Sequence, residues 1–295
     1  MPLLAQLTVN GIIAGSIYAL VASGFALIYG TNKFMHFAHG ASVTFAGYIL
    51  FLLLERTIVP FYGAIIITII FTSYFGLLLY RFVYLPLQNR KASTVILLVA
   101  SIALLILFEN TLQVAFGPEV KTIPYDFDNR TFTIFGGTIT ILQIFIFITA
   151  LLIFLFLFAF MRYSNLGKAM RAVADNKELA AIWGIDSRKI ADMSFLIGSF
   201  LAGVAGILIG LEQSLVPTMG TMLIIKGFTG AVIGGIAYVP ASVIGSYVLG
   251  FAENYGVALL PSGYKDAIGF VILFLFLLLK PEGLFGVPKG VKSNA

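Results

Sequence analysis

The sequence contains no cysteine, a single tryptophan and few charged residues, which make up 11% of its 295 residues. Without cysteine, the chain can form neither a disulfide framework nor a thiolate metal site. Hydrophobic residues make up 60% of the chain and its mean hydropathy is +1.02, which leaves too little polar surface to cover a water-soluble core. The composition predicts an all-α fold, a polytopic bundle of transmembrane helices that forms one domain over residues 1–295.

Motifs of soluble enzymes are absent as well. The sequence has no Gly-x-x-x-x-Gly-Lys-Ser/Thr loop, no Gly-x-Ser-x-Gly and no His-Glu-x-x-His, so it predicts no catalytic residue, cofactor or resident metal. His36 and His39 have a spacing that could place both on one metal, but no third ligand accompanies them, so we favour packed histidines. The net charge of +5 arises from basic residues between hydrophobic runs, which indicates membrane orientation rather than nucleic-acid binding.

Apolar runs of about 20 residues predict nine membrane spans. They lie near residues 7–29, 34–54, 60–84, 93–116, 138–161, 190–211, 221–236, 240–259 and 264–279. The seventh is short and interrupted by glycine, and the count falls to eight if it is re-entrant. Lysine and arginine placement predicts an external N-terminus and a cytoplasmic C-terminus, with 13 basic residues on the cytoplasmic side and five on the other.

Residues 162–192 are the one long polar interruption, and they separate a first half, 1–161, from a second half, 193–295. Six Lys/Arg and four Asp/Glu fall here. The pattern predicts a helix from Gly167, a second short helix capped by Asp175 or Asn176 with a capping box to Glu178, and a stop at Gly184. Two interpretations stay open, an amphipathic loop on the lipid surface or a cytoplasmic helix that docks on a partner.

This polar stretch resembles the cytoplasmic coupling loop of permease subunits from ATP-binding-cassette importers of branched-chain amino acids. The family's Gly-x-x-x-Arg-Ala start matches residues 167–172, and its Ala-x-x-x-Gly-Ile end matches residues 180–185. A second similarity runs over residues 18–40, where the chain has His36 at a position at which the family usually has Asn. The resemblance covers essentially the whole chain.

The resemblance implies a transport subunit in a prokaryotic plasma (inner) membrane rather than an enzyme. It implies two cytosolic ATPase subunits, a second, related permease subunit and an external solute-binding protein. It also implies Leu, Ile or Val as cargo, although relatives carry urea or other amides. Carried onto this sequence, the pattern gives six ATPase-coupling residues, namely Gly167, Arg171, Ala172, Ala180, Gly184 and Ile185. The helix cap Asn176 and the single tryptophan, Trp183, complete the predicted coupling residues.

Weak internal similarity predicts an inverted repeat, in which Gly11 corresponds to Gly198 and His39 to Lys226. Such repeats place the transport path at their interface, and on this basis the candidate path residues are Tyr18, His39, Gly40, Gly234 and Gly235. Ionisable groups inside spans are costly and often functional. Four of them are predicted near the external boundary, either hydrated there or in contact with substrate or binding protein, namely Glu109, Glu212, Lys226 and Glu253.

The external loop 117–137 alternates β-branched and aromatic residues around Asp128 and Asn129, which predicts a small hairpin. It is either a simple connector or part of a landing surface for the binding protein. Two rival functions also stay open. A passive channel or secondary transporter would work without ATPases, and a membrane enzyme using His39 and Glu109 would turn over substrate as a single chain.

Overall fold

The computed structural model describes residues 2–125, 130–134 and 136–285. It is a bundle of membrane-length helices with short helices and one β-hairpin at its surfaces. The long helices are α1 (Pro2–Asn32), α2 (His39–Arg56), α3 (Phe61–Leu79), α5 (Thr94–Phe116), α6 (Ile141–Tyr163), α9 (Ser187–Glu212), α10 (Met219–Gly234), α11 (Val239–Gly256) and α12 (Lys265–Leu279). The π-helical turn Tyr80–Tyr84 and α4 (Leu85–Asn89) extend α3, and α7 (Asn165–Asp175) and α8 (Lys177–Ile182) link α6 to α9.

The number of membrane-crossing helices is smaller than the eight or nine predicted. In the described part of the chain, six helices are long and apolar enough to cross, or seven if α10 and α11, which meet at a bend of 113°, count as one broken span. The predicted spans 34–54 and 221–236 correspond to α2 and α10, which have 18 and 16 residues. Neither passes as a crossing helix on its own. Helix α10 is too short, and α2 includes the polar residues His39, Glu55 and Arg56 within its 18 residues.

Both short helices begin inside the membrane bundle. At the start of α2, His39 packs against Gly24, which lies eight residues before the end of α1, or about 12 Å along its axis. At the start of α10, Gly220 packs against Gly40. The chain therefore enters the bundle in irregular form over residues 33–38 and 213–218 and turns helical only at depth, which is tolerated because protein surrounds these segments.

The two halves pack as an inverted repeat. Asn32 at the end of α1 donates to Ser194 near the start of α9 at 3.0 Å, so these two helices run antiparallel. The contacts of α1 with α10 and α11 are mirrored by those of α9 with α2 and α3, and α2 meets α5 as α10 meets α12. The prediction pairs His39 with Lys226, whereas α2 begins at His39, α10 begins at Met219, and Gly40 lies against Gly220.

Burial separates central helices from peripheral ones. In the most apolar window of each helix, 89% of residues are buried in α1 and 78% in α9, against 22% in α5, 17% in α6 and 6% in α12. Close packing at the centre relies on glycine, since Gly11 and Gly15 receive Phe251 and Tyr247 of α11. The peripheral helices present their apolar sides outward, as lipid-facing or subunit-facing helices do.

A hairpin covers the external end of α1. Strands Thr131–Ile134 and Gly137–Thr140 pair antiparallel, and Gln6 Oε1 accepts the backbone N–H of Thr138 at 2.8 Å. The hairpin predicted around Asp128 and Asn129 falls on residues 126–129, which lie outside the described residues, and the observed strand pair lies closer to α6.

Candidate functional site: an interhelical lever and a buried polar network

Helices α7 and α8 form a two-helix unit, here called the lever (residues 164–185), between α6 and α9. Ser164 Oγ accepts the N–H of Gly167 at 2.9 Å and begins α7, and Asn176 Oδ1 accepts the N–H groups of Glu178 and Leu179 at 3.0 Å and begins α8. The predicted capping box from Asp175 is wrong, because Asn176 has the extended backbone that an N-cap requires. Gly184, at φ +78°, ends the unit.

The lever has one anchored side and one exposed side. Met170, Val173 and Ala180 are buried in the main hydrophobic core, and Gly167 lies against the backbone of Phe160 and Met161. Ala180, predicted to contact a partner, is therefore covered by this chain itself. Ala172 and Ile185 are partly buried and Arg171 is exposed.

The exposed side of α8 is apolar. Leu179, Ile182 and Trp183 are 55%, 80% and 84% exposed. These three large apolar side chains are exposed together in a polar loop. They form a surface suited to binding another protein, since burial of each would be favourable by about 1.5–3 kcal/mol. Of the three, Trp183 was among the predicted coupling residues, whereas Leu179 and Ile182 were not.

The lever is tied to the inner end of α1. Lys33, which follows α1 with a positive φ of 58°, donates from Nζ to the carbonyl of Ala174 at 2.5 Å. Burial lowers the pKa of the Lys33 ammonium, while the nearby Asp175 carboxylate opposes that shift. The lever also packs on α6 and α9, so a displacement of α7 is transmitted to three membrane helices.

A buried polar network lies in the outer half of the bundle. Lys226 Nζ on α10 is 3.1 Å from Tyr18 Oη on α1, 3.1 Å from Glu253 Oε2 on α11 and 2.7 Å from Asp266 Oδ1 on α12. Tyr18 Oη donates to the same Glu253 oxygen at 2.8 Å. Glu253 is fully buried, whereas the Asp266 side chain is 51% exposed on the outer side of α12. The network joins Tyr18, predicted on the path, with two residues predicted at the external boundary.

Glu109 and Glu212, the other two predicted boundary residues, stabilise helix ends. Glu109 Oε1 on α5 accepts the N–H of Thr221 at 3.2 Å and its hydroxyl at 2.5 Å, so the carboxylate neutralises the N-terminus of α10. Glu212 Oε1 accepts from Gln143 Nε2 at 2.9 Å at the external ends of α9 and α6.

The two predicted path glycines at Gly234 and Gly235 form the bend between α10 and α11. Gly235 has φ +137°, which only glycine adopts readily. The carbonyls of Ile233 and Gly234 accept the N–H groups of Leu284 and Phe285 at 2.7 and 3.0 Å. The chain beyond α12 therefore returns to close the end of α10.

The histidine pair lies at the start of α2. His36 Nδ1 is 3.0 Å from Tyr84 Oη, and among the described residues no hydrogen-bond partner reaches either ring nitrogen of His39. Gly40 beside it is in backbone contact with Gly220, where the two repeats meet. Among the described residues, no group of three His, Asp or Glu side chains is arranged to hold a metal ion.

Asp266 and the Arg81–Asp192 ion pair were not predicted from the sequence. Arg81 Nη2 on the π-helical turn is 2.8 Å from Asp192 Oδ2 on α9, which ties the end of α3 to α9. An acidic residue in the first turn of the apolar run 264–279 was the available signal for Asp266, but no sequence feature pairs it with Lys226.

Comparison with known families decides the identity of this helical bundle. The family model for the permease component of branched-chain amino acid transport systems matches residues 7–277. The chain belongs to this family. The permease is 34% identical to the high-affinity branched-chain amino acid transport system permease protein LivH of Salmonella typhimurium over 95% of this chain and 94% of that protein.

Two further relatives come from distant organisms. BraD of Pseudomonas aeruginosa, a high-affinity branched-chain amino acid transport system permease, is 34% identical over 96% of each chain. The probable branched-chain amino acid transport permease LivH of Methanocaldococcus jannaschii is 30% identical over 94% of this chain and 91% of that protein. Among solved structures, PsaBC from Streptococcus pneumoniae in complex with Fab matches with a TM-score of 0.51 and 13% identity, covering 94% of this permease and 92% of that chain, which shows the fold alone.

Proposed function

We propose that this permease is the membrane subunit of an ATP-driven importer of Leu, Ile or Val in a prokaryotic inner membrane. Two cytosolic ATPase subunits dock on the lever, a second related permease subunit completes the membrane unit, and an external binding protein delivers the amino acid. Support for the cargo comes from relatives of more than 90% length coverage that are named as branched-chain amino acid permeases. This chain supplies the path rather than an enzymatic activity.

The observation that carries the proposal is the exposed apolar side of α8. Leu179, Ile182 and Trp183 point away from the bundle, on the side that lysine and arginine placement assigns to the cytoplasm. A short amphipathic helix of this kind fits a groove in another protein. Gly167 and Ala180 keep the opposite side fixed to the bundle, so force applied to α8 moves α7 as a unit.

Transport follows from alternating access. Movement of α7 reaches α1 through Lys33 and reaches α9 and α6 through direct packing. Because α1 and α9 are the central helices of the two repeats, their relative movement opens the bundle first to one side and then to the other. We place Tyr18, His39, Gly40, Gly234 and Gly235 along this movement, since they lie where α1, α2, α10 and α11 meet.

The four acidic and basic residues predicted at the external boundary divide into two roles. Glu109 and Glu212 position α10 and α9 by accepting from Thr221 and Gln143. Lys226 and Glu253 belong to the buried network, whose outermost member, Asp266, lies in the first turn of α12 with its side chain half exposed. A charge on that surface is costly against lipid, and we therefore propose that this side of α10 and α12 faces the second permease subunit or a hydrated path.

The direct test is the variant Ile182→Asp, compared with Ile58→Asp as a matched control. Both isoleucines are highly exposed, but Ile58 lies in the loop between α2 and α3 on the opposite side of the membrane. A central apolar residue of a protein interface contributes about 2 kcal/mol or more, so we expect Ile182→Asp to weaken ATPase binding about 30-fold.

The measurement is co-purification of the ATPase subunits with the tagged permease, followed by ATP-dependent uptake of labelled leucine in proteoliposomes. Ile58→Asp should retain both. Unchanged co-purification by Ile182→Asp would disprove docking on α8. Full uptake without any ATPase would favour a passive channel or secondary transporter instead. Uptake of urea or another amide in preference to leucine would correct the cargo and leave the docking site unaffected.

A further inference from the structure

A cavity of about 620 Å³ lies between the inner halves of α1, α6 and α11, beside the lever. Its size falls in the range of about 300–1,000 Å³ that is typical of ligand pockets. The walls are apolar and include Leu27 of α1, Phe154 and Leu157 of α6, and Val243 of α11. The bend at residues 237–240 closes one end.

The cavity lies at the depth of the inner leaflet. Its α6 residues belong to the last three turns before Tyr163, and its α1 residues to the last two turns before Asn32. Leu155 and Phe158, also on its lining, are 58% and 46% exposed on the outer surface of the bundle. The cavity is therefore open to the side, where acyl chains lie.

Its cytoplasmic rim is positively charged. Arg162 at the end of α6 and Arg171 on α7 are the charged residues among those that line it, and both are exposed. Arg171 Nη2 is 3.4 Å from the carbonyl of Arg162, and the Arg162 guanidinium lies 5.7 Å from the centre of the Tyr163 ring. Among the described residues, no carboxylate lies within 4.0 Å of either guanidinium.

The acidic residue of α7 interacts with a different cation. Asp175 follows Ala174 on α7 and acts on the ammonium of Lys33. Lys168, one turn before Arg171, adds a further positive charge. Guanidinium groups bind phosphate in a bidentate manner, and basic pockets between transmembrane helices on the cytoplasmic side bind anionic headgroups.

We propose that this cavity binds one anionic phospholipid of the inner leaflet, with an acyl chain between α1, α6 and α11 and the phosphate at Arg162 and Arg171. The bound lipid would touch Met170 and Ala174 of the lever together with the bend between α10 and α11. It would thus fill the joint through which the lever moves the bundle and would tune coupling to the lipid composition of the membrane. The proposal does not depend on the docking of ATPases.

The test is native mass spectrometry of the purified full-length permease with added dioleoyl phosphatidylglycerol or dioleoyl phosphatidylcholine. Wild type should retain one phosphatidylglycerol in preference to phosphatidylcholine. Arg162→Gln should weaken that binding about fivefold, since one basic residue near a membrane surface contributes about a factor of that size. Lys168→Gln, an equal loss of charge outside the cavity lining, should retain more of the binding.

A second pair of variants tests the cavity itself. Val243→Trp fills it and should remove the bound lipid, whereas Ile244→Trp, on the adjacent 46% exposed residue, should not. Equal retention of the two lipids by wild type, or unchanged binding in both Val243→Trp and Arg162→Gln, would overturn the proposal. So would loss of pairing with the second permease in Val243→Trp without any lipid retained by wild type, because a partner helix would then be the occupant.

Discussion

Replacing Lys226 with methionine removes the ammonium that faces two carboxylates and a phenol inside the bundle. In the wild type, Lys226 Nζ lies 3.1 Å from Glu253 Oε2 and 2.7 Å from Asp266 Oδ1, and its side chain is 15% exposed. Glu253 is fully buried, and its second carboxylate oxygen has no hydrogen-bond partner among the described residues. After the substitution, the Tyr18 hydroxyl would be the hydrogen-bond donor left to that carboxylate, with the Lys265 ammonium acting on it only through its charge.

The expected loss of folding free energy depends on how deeply each charged group is buried rather than on the number of ion pairs that are broken. Removing one partner of a buried pair typically destabilises a protein by about 3–5 kcal/mol, because the other charge stays buried and uncompensated. Asp266→Asn breaks a shorter contact, but its side chain is 51% exposed, so the loss should be only about 0.2–1 kcal/mol. Replacing Lys226 and Glu253 together by Met and Gln should recover most of the stability.

The assay is unfolding in detergent micelles, monitored by circular dichroism for wild type, the two single variants and the double variant. We expect Lys226→Met to unfold at a much lower denaturant concentration than Asp266→Asn, with the double variant in between or near wild type. Equal losses for Lys226→Met and Asp266→Asn would refute the role of burial. Uptake by the double variant then separates the functions: a stable but inactive protein would mean that Lys226 acts on the cargo.

Two further predictions concern close backbone contacts and caps. Gly40→Ala places a Cβ 2.5 Å from the carbonyl oxygen of Gly220 and should lower the free energy of unfolding by about 1–3 kcal/mol or more. Size-exclusion chromatography should then show less folded protein. Gly263→Ala, whose Cβ would meet open space, should leave the yield of folded protein unchanged. Asn176→Ala removes the N-cap of α8, which should lower the stability of that helix by about 1 kcal/mol and reduce co-purification of the ATPase. Asn165 caps no helix, so an equal reduction in Asn165→Ala would contradict the role of the cap.

The apolar runs predicted most helices of this permease because the bilayer requires internally satisfied backbone, and long apolar runs meet that requirement as helices. The lever was predictable for a related reason: Asn176, Gly184 and the polar composition are local signals of helix ends. Local signals failed at residues 34–38, which the predicted span 34–54 includes although the chain is irregular there. Hydropathy alone cannot distinguish an apolar helix from an irregular apolar segment that is buried between helices.

The candidate site shows the same division. Trp183 and Asn176 could be assigned because their roles depend on neighbours in sequence. The association of Tyr18, Lys226, Glu253 and Asp266 depends on how α1, α10, α11 and α12 pack, and pairwise spacing in the sequence carries no information on that packing. The predicted pairing of His39 with Lys226 rests on matches between small residues. Such residues recur in every helix of the bundle, so these matches alone align the two halves in more than one way.

The central claim is that α8 faces the cytoplasm and that an ATPase subunit binds it there. Since the chain has no cysteine, Trp183→Cys and Ile58→Cys give single-thiol proteins that can be labelled with a membrane-impermeant maleimide in intact cells. We predict that Ile58→Cys reacts from outside, whereas Trp183→Cys reacts only after the membrane is opened and is then protected by bound ATPase. Labelling of Trp183→Cys in intact cells, or equal labelling with and without the ATPase, would contradict the account.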